Sequence, residues 1–185
     1  SLSWNNKKTG RGVYSFCMCP GGYVINSSSE QEMLCTNGMS MSKREGNFSN
    51  AALVVTVKPE DTSPSPLAGL DLQRSIEKKA FSAGGGLFKA PAQTAASFLY
   101  SRAAEINRKV SYKNGITPAR LEEFLPEWIT EEIKSALPYF NNMMKGFSSN
   151  EGIFIGAETR TSSPVRITRN KNFQSVNTPG FMPQE

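Results

Sequence analysis

The chain has 185 residues, 38% hydrophobic and 20% charged, with 21 Lys+Arg against 16 Asp+Glu and a formal net charge of +5. A chain of this length buries roughly 70% of the surface its unfolded form exposes, so it builds a core without disulfides or structural metal, and disorder is excluded as a description of the whole. There is no His, which removes the commonest general base, the commonest metal ligand and every Ser-His or Cys-His arrangement.

Taken in chain order, Val13, Tyr14, Phe16, Tyr23, Val24 and Ile25 are strand formers around Pro20-Gly21-Gly22, which predicts a hairpin from Gly12 to Ser27. A third strand is expected over Met33 to Thr36, closed by the turn signal Asn37-Gly38. The continuous apolar run Ala51 to Val57 predicts a strand buried on both faces or central in a sheet. Pro59 to Pro66 reads as a linker. Leu70, Ile76, Ala80 and Phe81 then space out one helix, Leu67 to Phe81, ended by Gly84-Gly85-Gly86.

A second helix is predicted from about Pro91 to Ile106, and Thr117-Pro118 reads as the cap and first residue of another. Pro126 and Pro138 are each expected to open a helix, because either would break the middle of one. After Gly152, Ile153 to Ile155 and Val165 to Ile167 predict a second hairpin about Ser162-Ser163-Pro164. The whole is expected to be a single α+β domain over 1–185. Its antiparallel sheet comes from 12–57 and 152–170, and a helical lobe, 66–146, is inserted between them.

Three cysteines, an odd count at low density, favour a reducing compartment, and the cytoplasm is the expected location. The chain opens on Ser1 rather than Met, which reads as a piece of a longer protein. No run of roughly 18 apolar residues occurs, so no membrane partner is expected. Cys17-Met18-Cys19-Pro20-Gly21-Gly22 invites three readings. No metal site is expected, since only Cys35 is left to complete a shell. A redox dithiol has the wrong spacing, and residue chemistry favours buried small side chains beside a functional turn. Gly84-Gly85-Gly86 and Gly10-x-Gly12 lack the spacing of a nucleotide fingerprint.

The segment Glu158 to Ile167 places Arg160 and Arg166 among the hydroxyls of Thr159, Thr161, Ser162 and Ser163, a donor set suited to an anionic group. A polar turn with Arg160 paired to Glu158 fits as well, and residue chemistry leaves both open. Basic residues gather at Lys7, Lys8 and Arg11, at Lys78 and Lys79, and at Arg160, Arg166, Arg169 and Lys171. Without a nucleic-acid module around them these read as solvated charge, and nucleic acid is not an expected partner.

Six segments occur in one order: F-C-M-C-P-G-G at 16–22, T-N-G-M-S at 36–40, N-A-A-L-V-V at 50–55, P-L-A-G-L at 66–70, A-P-A-Q at 90–93 and E-T-R-T-S-S-P-V-R-I at 158–167. Together, over about 12–181, they resemble the interior of a family of bacterial FAD-dependent dehydrogenases, also described as NAD(FAD)-utilising dehydrogenase-like. In that family the flavin site is built from sequence on both sides of this region, and Pro179-Gly180-Phe181-Met182-Pro183 resembles the approach to its second half. The resemblance implies the inserted substrate or cap domain of an FAD-dependent oxidoreductase. FAD and a small-molecule substrate would bind in the longer protein, and this chain would carry no flavin and be inactive alone. It offers Cys17, Cys19, Gly21, Gly22, Arg160, Thr161, Ser162, Ser163 and Arg166 as residues facing flavin or substrate, with no catalytic residue assigned. The alternative is a non-enzymatic module that binds an anionic ligand or RNA through the basic C-terminal hairpin.

Overall fold

In strand β2 (Gly12–Cys19) the buried residues Val13 and Ser15 alternate with exposed Tyr14 and Phe16, the period-two pattern of a strand with one face on a core. A computed structural model of the chain describes residues 1–183 and makes β2 the middle of a three-stranded antiparallel sheet. Its neighbours are β1 (Ser3–Asn5) and β5 (Asn50–Val55). Val13 faces Val55 and Ser15 faces Leu53 across the ladder, and Leu53, Val55 and Trp4 pack on the core. The apolar run at β5 is therefore a half-buried edge strand rather than a central one.

The hairpin predicted over 12–27 does not form. Strand β3 (Gly22–Asn26) pairs instead with β4 (Thr36–Ser40) in a second, two-stranded antiparallel sheet. The Pro20-Gly21 turn carries the chain from one sheet to the other because it packs on the 41–49 loop: Gly46 N donates to Gly21 O, and Gly22 N donates to Phe48 O. Asn37-Gly38, read as a turn, lies inside β4, where a Cβ on Gly38 would stand 1.9 Å from Asn50 Oδ1. The glycine answers a close approach between the two sheets, not a bend in the chain.

Gly21 has φ +60, and a Cβ there would meet the Arg44 carbonyl oxygen at 1.9 Å. Gly10, with φ +67, has only the flexible Lys58 Nζ nearby, at 3.7 Å. Gly10→Ala is therefore expected to cost about 1 kcal/mol, the ordinary penalty of a left-handed backbone, and Gly21→Ala at least about 2 kcal/mol more from the clash. Denaturant midpoints of the two variants check this, and equal costs would contradict the packing of the turn.

The predicted linker begins with a 3₁₀ turn, Pro59–Asp61, and is pinned. Arg11 holds Asp61 through Nη1 to Oδ2 at 2.6 Å and Nη2 to Oδ1 at 2.5 Å, while its guanidinium lies 4.5 Å from the centre of the Trp128 ring. Helix α1 (Ala68–Ala83) follows as expected, ends at Gly84, and buries Ile76, Glu77 and Ala80.

Beyond α1 the region read as all helix contains two strands. Ala90–Thr94 is β6, buried at every position, where a helix from Pro91 was expected. It pairs in parallel with β7 (Ile116–Pro118) and antiparallel with β8 (Ile153–Ile155). The helical part shrinks to α2 (Ala95–Leu99), capped by Thr94, whose Oγ1 accepts from Ser97 N. Thr117 is no helix cap: it sits in β7 and its hydroxyl donates to Gly84 O at 2.6 Å, tying down the end of α1. Helix α3 (Glu127–Met143) opens after Pro126 but runs through Pro138. The buried residues Ala136, Leu137 and Phe140 around the proline hold it against the core, so packing outweighs the lost backbone hydrogen bond.

The α+β class holds, with three α-helices and mostly antiparallel strands among the described residues. The strands are distributed differently from the expectation, since β8 joins β6 rather than the N-terminal sheet. The C-terminal segment still meets the N-terminal strands, through Thr36 N donating to Ala157 O at 2.9 Å. After β8 the chain runs irregularly, so the second hairpin is not formed; a bridge between Arg169 and Ser175 follows. No helix among the described residues is long and apolar enough to cross a membrane.

Candidate functional site

Helix α1 sends Gln73 and Glu77, one turn apart, toward the segment that follows β8. Gln73 Nε2 donates to Thr159 O at 2.6 Å. Glu77 is 1% exposed, and Arg160 grips its carboxylate with two parallel bonds, Nε to Oε1 at 2.9 Å and Nη2 to Oε2 at 2.7 Å. The Thr159 hydroxyl donates to the same carboxylate at 2.5 Å and lies 3.7 Å from the buried Cys35 Sγ. Nη1 of Arg160 donates to Ser29 Oγ. The hydrogen bonds it donates to Glu77 hold the Arg160 guanidinium above its already high ordinary pKa.

Arg160 is thus paired with Glu77, 83 positions away, and not with Glu158. Glu158 has its carboxyl pushed up by burial. Three of the five guanidinium N–H groups are committed to Glu77 and Ser29, which leaves two for another partner. Beside this pair is a cleft of about 440 Å³, lined by Glu30, Leu70, Gln73, Arg74, Glu77, Arg160 and the 161–164 loop. Arg74 donates to Glu30 at 3.2 Å on its wall. Thr161, Ser162 and Ser163 all line the cleft, although the Ser163 hydroxyl is spent within its own turn on Val165 O at 2.7 Å. Arg166 is exposed and does not line it.

The other candidate segment lies elsewhere. Cys17 is exposed, at φ +50, and Cys19 is half-buried. A register shift between Phe16 and Cys19 interrupts the strand there, so the two thiols do not sit on one side of a regular ladder. The buried small side chains expected at Cys17 and Cys19 are not found at Cys17; the buried thiol is Cys35. Gly21 and Gly22 stand at the Gly22–Ser40 end of the β3–β4 ladder, whereas Cys35 and the Arg160 cluster stand at its Asn26–Thr36 end. Four residues of strand set these ends about 13 Å apart. The sequence candidates therefore form two places, not one. Among the described residues no group of three or more His, Cys, Asp or Glu could hold a metal ion.

A flavin dinucleotide needs donors for its pyrophosphate, best supplied by a glycine turn that opens a helix. Gly84-Gly85-Gly86 instead follows the carbonyl end of α1, whose dipole disfavours anions, and Gly10 and Gly12 lead into strand β2. Neither glycine run is a turn of that kind. The sequence reading missed Glu77, Gln73 and Ser29. Glu77 carried a signal: it sits between Ile76 and Ala80 on the helix's apolar stripe, where a carboxylate needs a cationic partner.

Residues 1–161 match the family described as "FAD-dependent protein, C-terminal domain-like", and the chain belongs to that family. It is similar to an "Uncharacterized protein" of Clostridium beijerinckii, 43% identical over 185 residues that cover 98% of this chain and 35% of the relative. The chain thus spans about a third of the length of the curated relative it matches.

Proposed function

We propose that this member of a FAD-dependent family is the substrate-side, or cap, domain of a dehydrogenase-type flavoenzyme, lying over a flavin that other parts of a longer polypeptide hold. The observation that carries the reading is the placement of Gly84-Gly85-Gly86 at the carbonyl end of α1 in a chain of this family: the glycines end a helix rather than open one. Bound FAD would supply the hydride chemistry.

The chain's own residues orient substrate. Arg160 is held rigid by Glu77, and with Thr161 and Ser162 at the cleft it offers charge-assisted and neutral donors to an anionic substrate group. The Cys17 to Gly22 turn, at the far end of the β3–β4 ladder, faces the flavin-holding part. Free thiols at Cys17 and Cys19 suit a reducing compartment, and we assign the cytoplasm as its location.

Equilibrium dialysis of the purified chain against FAD tests the division of labour. The expected result is no retained flavin on this chain and stoichiometric flavin on the longer protein. Stoichiometric flavin on residues 1–185 alone would overturn it.

A further inference from the structure

An antiparallel sheet with one face on a core ordinarily turns polar side chains outward. The first N-terminal sheet breaks that rule, and the second breaks it in part. In the first, the outward cross-strand pairs are Tyr14 with Val54 and Phe16 with Ala52, while the inward partners Val13, Ser15, Leu53 and Val55 meet the core. In the second, Tyr23 faces Met39 and Ile25 faces the polar Asn37, and Met41 follows just past the end of β4. Tyr14, Phe16, Met18, Ile25, Met39 and Met41 are between 36% and 58% exposed. A Cβ on Gly12 would meet the Tyr14 hydroxyl at 2.1 Å, so the Tyr14 ring lies back along the strand and broadens the apolar surface. Exposed apolar surface of this kind marks a contact with another body.

We propose that these outward faces are where the chain docks onto the rest of its own longer polypeptide, an inference that rests on the cap-domain reading above. The occupant follows from length. The curated relative is about three times as long as the segment this chain matches, so most of such a protein lies outside these residues. Covalent attachment gives that remainder a high effective concentration, so a modest apolar face suffices where two free chains would need roughly 800 Å² each. Three of the six side chains are methionines, which fit an irregular partner surface without strain.

Cys17, exposed between Phe16 and Met18, is a built-in reporter. In the native longer protein its alkylation, followed residue by residue by mass spectrometry, is expected to run at least tenfold slower than in the same protein unfolded in denaturant, as for the buried Cys35. The double variant Phe16→Lys, Met39→Lys should restore Cys17 to within threefold of the unfolded rate while Cys35 stays protected. Native Cys17 that reacts within threefold of the unfolded rate, with Cys35 protected, overturns the docking face. Protection that vanishes on dilution together with a dimer seen by light scattering overturns it too, in favour of a second copy. Should the double variant not fold, the wild-type comparison decides by itself. Flavin content separates the two readings: protected Cys17 without flavin sinks the cap assignment and leaves the docking face, and bound flavin with reactive Cys17 does the reverse.

Discussion

Arg160→Ala is expected to lower the unfolding free energy by about 3 kcal/mol, because it strands a carboxylate that is 1% exposed with only the Thr159 hydroxyl left to it. The figure sits at the low end for breaking a buried ion pair, since the Arg160 side chain is 35% exposed. From sequence alone the pair would be an exposed one with Glu158, worth about 0 to 1 kcal/mol. Urea denaturation at neutral pH separates the two. The double variant Arg160→Met, Glu77→Leu, which removes both charges and keeps the volume, should lie within about 1.5 kcal/mol of the parent. A loss under 1 kcal/mol for Arg160→Ala would mean that the Glu77 contact does not hold the C-terminal segment on α1.

The second large effect is at the linker. The Arg11 guanidinium, first, and then the Lys58 N–H hold the Asp61 carboxyl below its ordinary value of 3.8, against an opposing push from burial. The pair is 11% and 6% exposed, so Asp61→Ala should cost about 3 kcal/mol at neutral pH. The sign of the pH effect follows from the lowered pKa. The stabilisation is fully present above 3.8, the unfolded value, and is lost as pH falls through the folded value. Glu158 acts in the opposite direction: its pKa is raised by burial above 4.5, so its contribution is present at low pH and is lost as pH rises. The gap between parent and Asp61→Ala should therefore be widest near neutrality and shrink in acid, as read from denaturant midpoints across pH. A gap that stays constant into strong acid would show that Asp61 acts by shape and not by charge.

Local signals were legible. The spacing of Leu70, Ile76 and Ala80 and the glycine stop gave α1, and the strand formers Val13, Tyr14 and Phe16 and the apolar run of β5 gave those strands. Sheet membership was not, because pairing depends on contacts far apart in sequence. Pro20-Gly21-Gly22 signalled a bend correctly but could not say which strand follows on which side. Gly38 and Asn50 show how a glycine placed for a close approach imitates a turn signal. Ala90–Thr94 has one β-branched residue and two alanines, so nothing local marks it as a strand; its burial among β7, β8 and α1 decides its conformation. The Glu77–Arg160 pair bridges 83 positions, beyond any periodicity. That pair is also what changes the reading of the site, from a free anion hook to a clamped guanidinium with two donors to spare.

The central claim, that this chain covers a flavin held elsewhere in a longer protein, is tested most directly by the access of iodide to the bound flavin, read as quenching of its fluorescence. In the longer protein the quenching constant should be small, and the double variant Phe16→Lys, Met39→Lys should raise it several-fold toward that of free FAD while flavin stays bound. An unchanged constant in a variant whose Cys17 has become freely reactive would show that the chain has come off its docking face without uncovering any flavin, and the cap reading would be wrong.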